Sequence, residues 1–226
     1  MKQGAQPFDF GRKVDPKTFD KLINEGYEVD PSKYLKEGWE IFKSRAGEFI
    51  VFTVIIAVVT ALFSKINFIG SLATTAVVPP LYAGFIIVVF MLFKGQEVQF
   101  GDFFKGFNYF LPLFLASLVM SILITLGMIL LILPGIYLIV SYMFVSLLIV
   151  DYHMEFWQAM ETSRKIVTKN WFSLFVLFLV LVVVNLLGLL ALGIGLLVTM
   201  PLSVCTICVA YRDIVGLSEE GELTTQ

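Results

Sequence analysis

The residues that could carry chemistry are few, and most lie inside or beside long apolar runs. Cys205 and Cys208 have the spacing of a redox pair. No basic residue stands near them to lower a thiol pKa, so small packing residues are the preferred interpretation. Asp151, His153 and Glu155 alternate beside another apolar run and could contact a metal. His153 is the single histidine of the chain, however, and an ordinary zinc site needs more ligands of this kind.

Prolines within the apolar runs form a second group of candidates. Pro79-Pro80 and Pro201 fall at matched positions, with Pro79 and Pro201 separated by 122 residues. A proline inside a helix frees a backbone carbonyl, and broken helices at matching repeat positions can line a ligand cavity. The favoured alternative is a structural kink that a neighbouring hydroxyl relieves, such as that of Thr199 or Ser203.

Asn185 is the most polar side chain within a predicted membrane span. We expect it to form a hydrogen bond between helices, because a polar group in lipid needs a partner.

No charged residue lies deep in a span, which argues against proton coupling, voltage sensing and ion conduction. The chain shows no Ser-His-Asp set and no glycine-rich phosphate loop, so neither catalysis nor a cofactor or metal is expected. A net charge of −2 also disfavours a nucleic-acid partner.

The surrounding sequence predicts an all-α, polytopic integral membrane protein. Hydrophobic residues make up 58% of the 226 residues and charged residues only 15%, whereas soluble domains have about 25% charged residues. A spanning helix needs about 20 mostly apolar residues. Pro134-Gly135 divides one long apolar run, and Gly188 with Gly193 and Gly195 divides another. Six spans are therefore predicted, at about 46–64, 71–93, 110–132, 135–151, 171–188 and 192–211.

The charges fall almost entirely on one side of these spans. Fifteen of the sixteen Lys and Arg residues and all eighteen Asp and Glu residues lie there, and only Lys65 lies on the other side. The positive-inside rule then places both termini in the cytoplasm. We therefore expect a multi-pass protein of the cell (inner, cytoplasmic) membrane, with almost no polar groups on its outer face.

The spans are arranged as three parallel repeats of two helices. Phe49, Phe110 and Trp171 each open an apolar run, at equal separations of 61 residues. The repeats cover about 34–94, 95–153 and 154–214, between a 1–33 cytoplasmic tail with a short helix and a 215–226 tail. An interfacial amphipathic helix is predicted before each helix pair, because aromatic and basic side chains mix there as they do in the headgroup layer. The expected interfacial anchors are Trp39, Phe42, Phe103, Phe104, Phe107, Trp157 and Trp171.

Several short motifs resemble a group of bacterial and archaeal six-helix membrane proteins. The matching segments are 36–43 (KEGWEIFK), 100–107 (FGDFFKGF), 133–138 (LPGIYL), 159–163 (AMETS) and 210–213 (AYRD). This family includes the YciC-like proteins and the membrane domain that is sometimes fused to glycerophosphodiester phosphodiesterases. The resemblance covers about 34–214 and implies a fold and a membrane location without an established activity. The phosphodiesterase domain of the fused members has no counterpart in these segments, so its activity is not expected here.

Two classes of function follow from these features. The first is a non-enzymatic scaffold or lipid-associated accessory factor, which fits the interfacial helices and the bare outer face. The alternative is a transporter or lipid-translocating protein with a cavity near the kinked second and sixth spans; an enzyme ranks third. The expected partners are membrane lipids, with other membrane or cytoplasmic proteins on the inner face as further candidates.

Overall fold

The computed structural model describes residues 9–65 and 67–218. Over these residues the secondary structure is helical, apart from one isolated bridge between Arg12 and Met154. Six segments are long and apolar enough to cross a membrane: Ala46–Ser64, Ala73–Phe93, Phe100–Leu130, Ile132–Tyr152, Trp171–Leu190 and Leu196–Ile214. The structure therefore confirms the predicted all-α fold with six spanning segments.

Three units follow one another in the described part of the chain, each with a leading helix and two spans. A short 3₁₀ helix (Pro16–Phe19) and α1 (Asp20–Glu25) come first. Unit 1 contains α2 (Pro31–Ser44), α3 (Ala46–Ser64) and α4 (Asn67–Phe93). Unit 2 contains the 3₁₀ helix Phe100–Tyr109, α5 (Phe110–Leu130), α6 (Ile132–Ser141) and α7 (Val145–Tyr152). Unit 3 contains α8 (Phe156–Lys169), α9 (Trp171–Leu190) and α10 (Leu196–Ile214). We call α2, the 3₁₀ helix Phe100–Tyr109 and α8 the leading helices.

The start of α2 shows how local sequence fixes a leading helix. Pro31 occupies the first helical turn, where its missing N–H costs nothing. The Asp30 carboxylate accepts hydrogen bonds from the backbone N–H groups of Ser32 and Lys33, both at 3.0 Å. The helix thus begins at Pro31, three residues before the predicted first repeat.

The fourth span is broken, although the sequence predicts one continuous helix at about 135–151. It divides into α6 and α7 around residues 142–144. Ser163 of α8 bridges the break, because its hydroxyl donates to the Ser141 carbonyl at 2.7 Å and accepts from the Phe144 N–H at 3.2 Å. A hydroxyl from another unit therefore satisfies backbone groups that the interrupted helix leaves open.

Each leading helix packs antiparallel against the second span of the preceding unit. The 3₁₀ helix Phe100–Tyr109 packs on α4, α8 packs on α6 and α7, and α2 packs on α10. Unit 3 therefore closes onto unit 1, and the three units form a closed ring. The predicted threefold repeat thus corresponds to a repeated packing arrangement as well as to a repeated helix order.

Small residues permit this close packing. A methyl group at Gly106 would collide with the Pro80 carbonyl oxygen, and one at Gly84 would collide with the Phe103 carbonyl oxygen. At the α2–α10 contact, a methyl group on Gly38 would lie 2.6 Å from the Thr206 hydroxyl. Helix backbones approach closely where one side chain is absent, as is common inside membranes.

The second spans are the inner helices of the bundle. Half of the residues in the most apolar stretches of α4 and α10 are buried, against 22% for α3 and α9.

A cluster of phenylalanine rings joins the α3–α4 pair to the next leading helix. Phe52 and Phe103 have ring centroids 4.8 Å apart, and Phe49 stacks on Phe85 at 5.8 Å. Such aromatic pairs add about 0.5–1.5 kcal/mol beyond their buried area.

We expect Gly106→Ala to destabilise the protein, because the added methyl group meets the Pro80 carbonyl oxygen. Overpacking of this kind costs about 1–3 kcal/mol, which should lower the thermal midpoint in detergent. Gly101→Ala is the matched control, since it lies in the same 3₁₀ helix and its added methyl would have no atom within 4 Å. Equal midpoints for the two variants would show that the close approach at Gly106 is unimportant.

Candidate functional site

The leading helices and both described chain ends meet on one side of the bundle, which we call the charged face. The two spans of each unit form a hairpin, and the three turns that join them lie on the opposite side, which we call the turn face. On the charged face, the last turn of α10 carries Tyr211, Arg212 and Asp213 in succession. Each of these three side chains contacts a different part of the protein, and together they connect all three units.

Arg212 and Asp213 hold α10 against unit 1. The Arg212 guanidinium contacts the Glu37 carboxylate at 2.6 Å and lies 4.2 Å from the centre of the Phe93 ring. Asp213 forms an ion pair with Lys33 at 2.7 Å and accepts a 2.7 Å hydrogen bond from the Tyr34 hydroxyl.

The Asp213 contacts also perturb two α2 side chains. The hydrogen bond with Asp213 raises the pKa of Lys33. Burial, and then the hydrogen bond to Asp213, raise the pKa of the Tyr34 hydroxyl. Both shifts favour the protonated forms, which are the forms that donate to Asp213.

Tyr211 connects α10 to unit 2 through Asp151. Its hydroxyl donates to Asp151 Oδ2 at 3.0 Å. Ser218 approaches the same carboxylate from the C-terminal side, with its hydroxyl 2.8 Å from Oδ1 and its N–H 3.2 Å from Oδ2. Hydroxyl and amide dipoles thus stabilise this carboxylate, which has no ion-pair partner within 4 Å among the described residues.

A cavity of about 260 Å³ lies beside this carboxylate. Apolar side chains of α4 and α7 form part of its wall, and polar groups form the rest. The lining residues are Ile87, Phe90, Met91, Lys94, Gln96, Tyr109, Val150, Asp151 and Ser218. The cavity has the amphipathic lining of a shallow site at a membrane surface, and Asp151 and Ser218 make it an anchoring point for the C-terminal segment.

Residues 9–30, which we call the N-terminal segment, also lie on the charged face, and their first contacts are with the chain that follows Asp151. Arg12 exchanges backbone hydrogen bonds with the 153–155 segment: its N–H donates to the His153 carbonyl at 2.8 Å, and its carbonyl accepts from the Glu155 N–H at 2.9 Å. His153 adopts a left-handed conformation with φ 51° and faces Asp9, with His153 Nε2 and Asp9 Oδ2 3.2 Å apart. Asp151 instead faces Tyr211, so the alternating Asp151, His153 and Glu155 do not converge on one point.

The N-terminal segment then continues along α8. The Tyr27 hydroxyl donates to the Ile166 carbonyl at 2.9 Å, and burial raises the Tyr27 pKa. Asn170 donates to the Tyr27 carbonyl at 3.0 Å, and Lys169 donates to the Asn24 carbonyl at 2.7 Å. This segment contains the short helices of the predicted tail, while residues 1–8 and 219–226 lie outside the described residues.

The prolines that suggested a ligand cavity lie within packed helices. Pro79 and Pro80 are inside α4. The Ser117 hydroxyl of α5 lies 3.2 Å from the Thr75 carbonyl oxygen and 2.9 Å from the Phe114 carbonyl oxygen, so it can donate to either. Pro201 is buried inside α10. A second cavity of about 490 Å³ follows the charged surface of α2. Neither this cavity nor the one beside Asp151 is lined by Pro79, Pro80 or Pro201.

The remaining sequence candidates lie at helix contacts. Asn185 donates to the Leu181 carbonyl at 2.8 Å and to the Ser203 hydroxyl of α10 at 2.7 Å, so the expected interhelical hydrogen bond is present. Cys205 and Cys208 are unbonded to each other and buried in the core. Pro134 and Gly135 lie in the first turn of α6, where Gly135 touches Met128 of α5.

The predicted aromatic anchors divide into two groups. Trp39, Phe104 and Trp157 have 39%, 40% and 57% of their surface exposed. Phe42 and Phe103 are buried in the core, and Phe107 and Trp171 are partly buried against it. At least one exposed aromatic residue therefore remains on each leading helix, and the 3₁₀ helix carries a second one, Phe100, which is 38% exposed.

Tyr211→Phe should lower the thermal midpoint in detergent, because Asp151 loses the hydrogen bond from the buried Tyr211 hydroxyl. The cost is about 1–3 kcal/mol for a buried group left with fewer partners. Tyr82→Phe is a suitable control, since the Tyr82 hydroxyl forms no hydrogen bond within the described part of the chain. A midpoint for Tyr211→Phe as high as that of the control would contradict a role of Asp151 in holding the units together.

Comparisons with known protein families, with curated proteins and with solved structures give no match to this chain. The resemblance of its short motifs to the YciC-like family therefore stays an expectation from the sequence. The arrangement of residues on the charged face is the basis for inferring a function.

Proposed function

We propose that this chain is a non-enzymatic membrane protein that acts as a scaffold or lipid-associated accessory factor. It resides in the cell (inner, cytoplasmic) membrane, with the charged face and both termini in the cytoplasm. The observation that carries this proposal is that every leading helix has an exposed aromatic side chain: Trp39, Phe104 and Trp157.

The surroundings of these three side chains support contact with lipid headgroups. Trp39 lies between Lys36 and Lys43 on α2, Lys105 follows Phe104, and Lys165 lies on the same helix as Trp157. Aromatic rings favour the boundary between hydrocarbon and water, and lysines near it are attracted to anionic lipids by about 1 kcal/mol each. Three such positions around a closed ring would hold the charged face at the membrane surface.

Extensive packing between the units supports a static role over translocation of a substrate. The Ser117 hydroxyl of α5 lies within hydrogen-bond distance of the α4 carbonyl of Thr75, one turn before Pro79, and Asn185 and Ser203 connect α9 to α10 near Pro201. On the charged face, Arg212 and Asp213 lock α10 to α2. A lipid-translocating protein needs a polar path between its helices, and these contacts occupy the positions where the kinks would open one.

Spin labels on α2 test the proposed contact with headgroups. We expect a label at Trp39→Cys, in a background with Cys205 and Cys208 replaced by alanine, to report a depth near the headgroups in liposomes. The matched control is Glu40→Cys, because Glu40 is the next residue of the same helix and its side chain is 62% exposed. The label at this position should report bulk water. A water-like signal from both positions would refute membrane contact by α2.

Lipid scrambling in reconstituted vesicles tests the alternative function. We expect the wild type to exchange fluorescent lipids between leaflets no faster than empty vesicles, and Pro201→Ala to behave identically while keeping or raising its thermal midpoint. Proline inside a helix costs about 3 kcal/mol relative to alanine, so relief of that strain explains the stability result. Rapid scrambling by the wild type that disappears in a folded Pro201→Ala variant would establish the translocating function instead.

A further inference from the structure

The turns of the second and third hairpins are entirely apolar and strongly exposed. No polar side chain occurs at 126–136 or at 186–198. In the unit 2 turn, Ile129, Leu130, Leu131, Ile132 and Leu133 are 66–78% exposed. In the unit 3 turn, Leu190 is 79% exposed, Leu192 91% and Ile194 69%. The unit 1 hairpin differs, because α3 ends at the exposed polar residues Ser64 and Lys65.

The two apolar turns share a pair of glycines at which their helices touch. A methyl group on Gly127 would lie 3.1 Å from Gly135 Cα, and one on Gly195 would lie 2.6 Å from the Gly188 carbonyl oxygen. Gly127 and Gly188 are 61 residues apart, which equals the repeat spacing of the spans. The hairpin arms therefore close directly below each turn and leave no polar cleft there.

The backbone of the unit 3 turn bonds largely to itself. The Gly193 N–H donates to the Leu189 carbonyl at 2.9 Å, and the Leu196 N–H donates to the Gly193 carbonyl at 3.1 Å. Backbone groups must find such internal partners where water is absent. Leu192 has φ 56°, a left-handed conformation that asparagine or glycine adopts more readily in water-exposed turns. A strained leucine with 91% exposure indicates that the turn lies in an apolar phase.

The helix lengths agree with this location. The 21 residues of α5 and the 20 residues of α9 span about 31 Å and 30 Å at 1.5 Å per residue. The hydrocarbon core of a bilayer is about 30 Å thick, so helices of this length do not extend beyond its far boundary. Neither hairpin has further residues with which to cross the opposite headgroup layer.

We propose that the turns of units 2 and 3 end within the hydrocarbon of the leaflet on the turn face, covered by phospholipid acyl chains. Only the unit 1 turn, with Ser64 and Lys65, reaches water on that side. The protein therefore contacts the acyl-chain ends of one leaflet over two thirds of its ring. This inference rests on the membrane location of the protein and not on the proposed scaffold role.

Spin-label accessibility in liposomes tests the location directly. Leu131→Cys and Leu192→Cys, each in a background with Cys205 and Cys208 replaced by alanine, would carry the label, and Ser64→Cys would serve as the matched control. All three positions are strongly exposed, so the labels should leave the fold intact. We expect collisions with dissolved oxygen to exceed collisions with a water-soluble nickel chelate severalfold at 131 and 192, and the reverse at 64.

Each other outcome would overturn the proposal. Frequent collisions with the nickel chelate at 131 or 192 would place that turn in water. Low collision rates with both reagents at these positions would show that protein, such as a second copy of the chain, covers the turns. Thermal midpoints of the labelled variants, compared with the wild type, would confirm that the measurements concern the folded protein.

Discussion

Close approach between each leading helix and the second span of the preceding unit is the contact on which the rest of the structure depends. Glycine at 38 and 106, and the Ser163 hydroxyl at the third contact, allow two backbones to meet with no larger side chain between them. Within a membrane, apolar surface gains little from being buried against another helix, so packing and hydrogen bonds must hold the helices together. The three contacts repeat around the molecule and turn a linear series of hairpins into a closed ring.

The polar contacts of the charged face complete this ring where the spans meet water. Three successive residues at the end of α10 reach Asp151 of unit 2 and Glu37 and Lys33 of unit 1. Exposed ion pairs contribute little individually, at about 0–1 kcal/mol each. Their positions instead join α10 to both other units at a single point on the charged face. The N-terminal segment and Ser218 then cover the joined helix ends.

The charged face and the turn face of the protein suit different surroundings. The charged face presents ion pairs and at least one exposed aromatic side chain on each leading helix, a combination suited to headgroups. The turns of units 2 and 3 present only aliphatic side chains, and the strained Leu192 belongs to them. A scaffold held at one membrane surface, with most of its opposite end in hydrocarbon, is consistent with both observations.

The sequence by itself determined the six spans and their repeated order, because length, hydropathy and spacing report directly on lipid as a solvent. It did not separate the buried aromatic residues from the exposed ones, because an apolar face packs equally well on protein or lipid. Phe42 and Phe103 are buried, whereas Trp39 and Phe104 are exposed. The break of the fourth span was also hidden, since it depends on Ser163 from another unit. Tyr211, Arg212 and Asp213 appeared only as part of a short motif. Their partners, more than 50 and up to 180 residues away, come together only when the ring closes, so the tertiary structure alone decided their role.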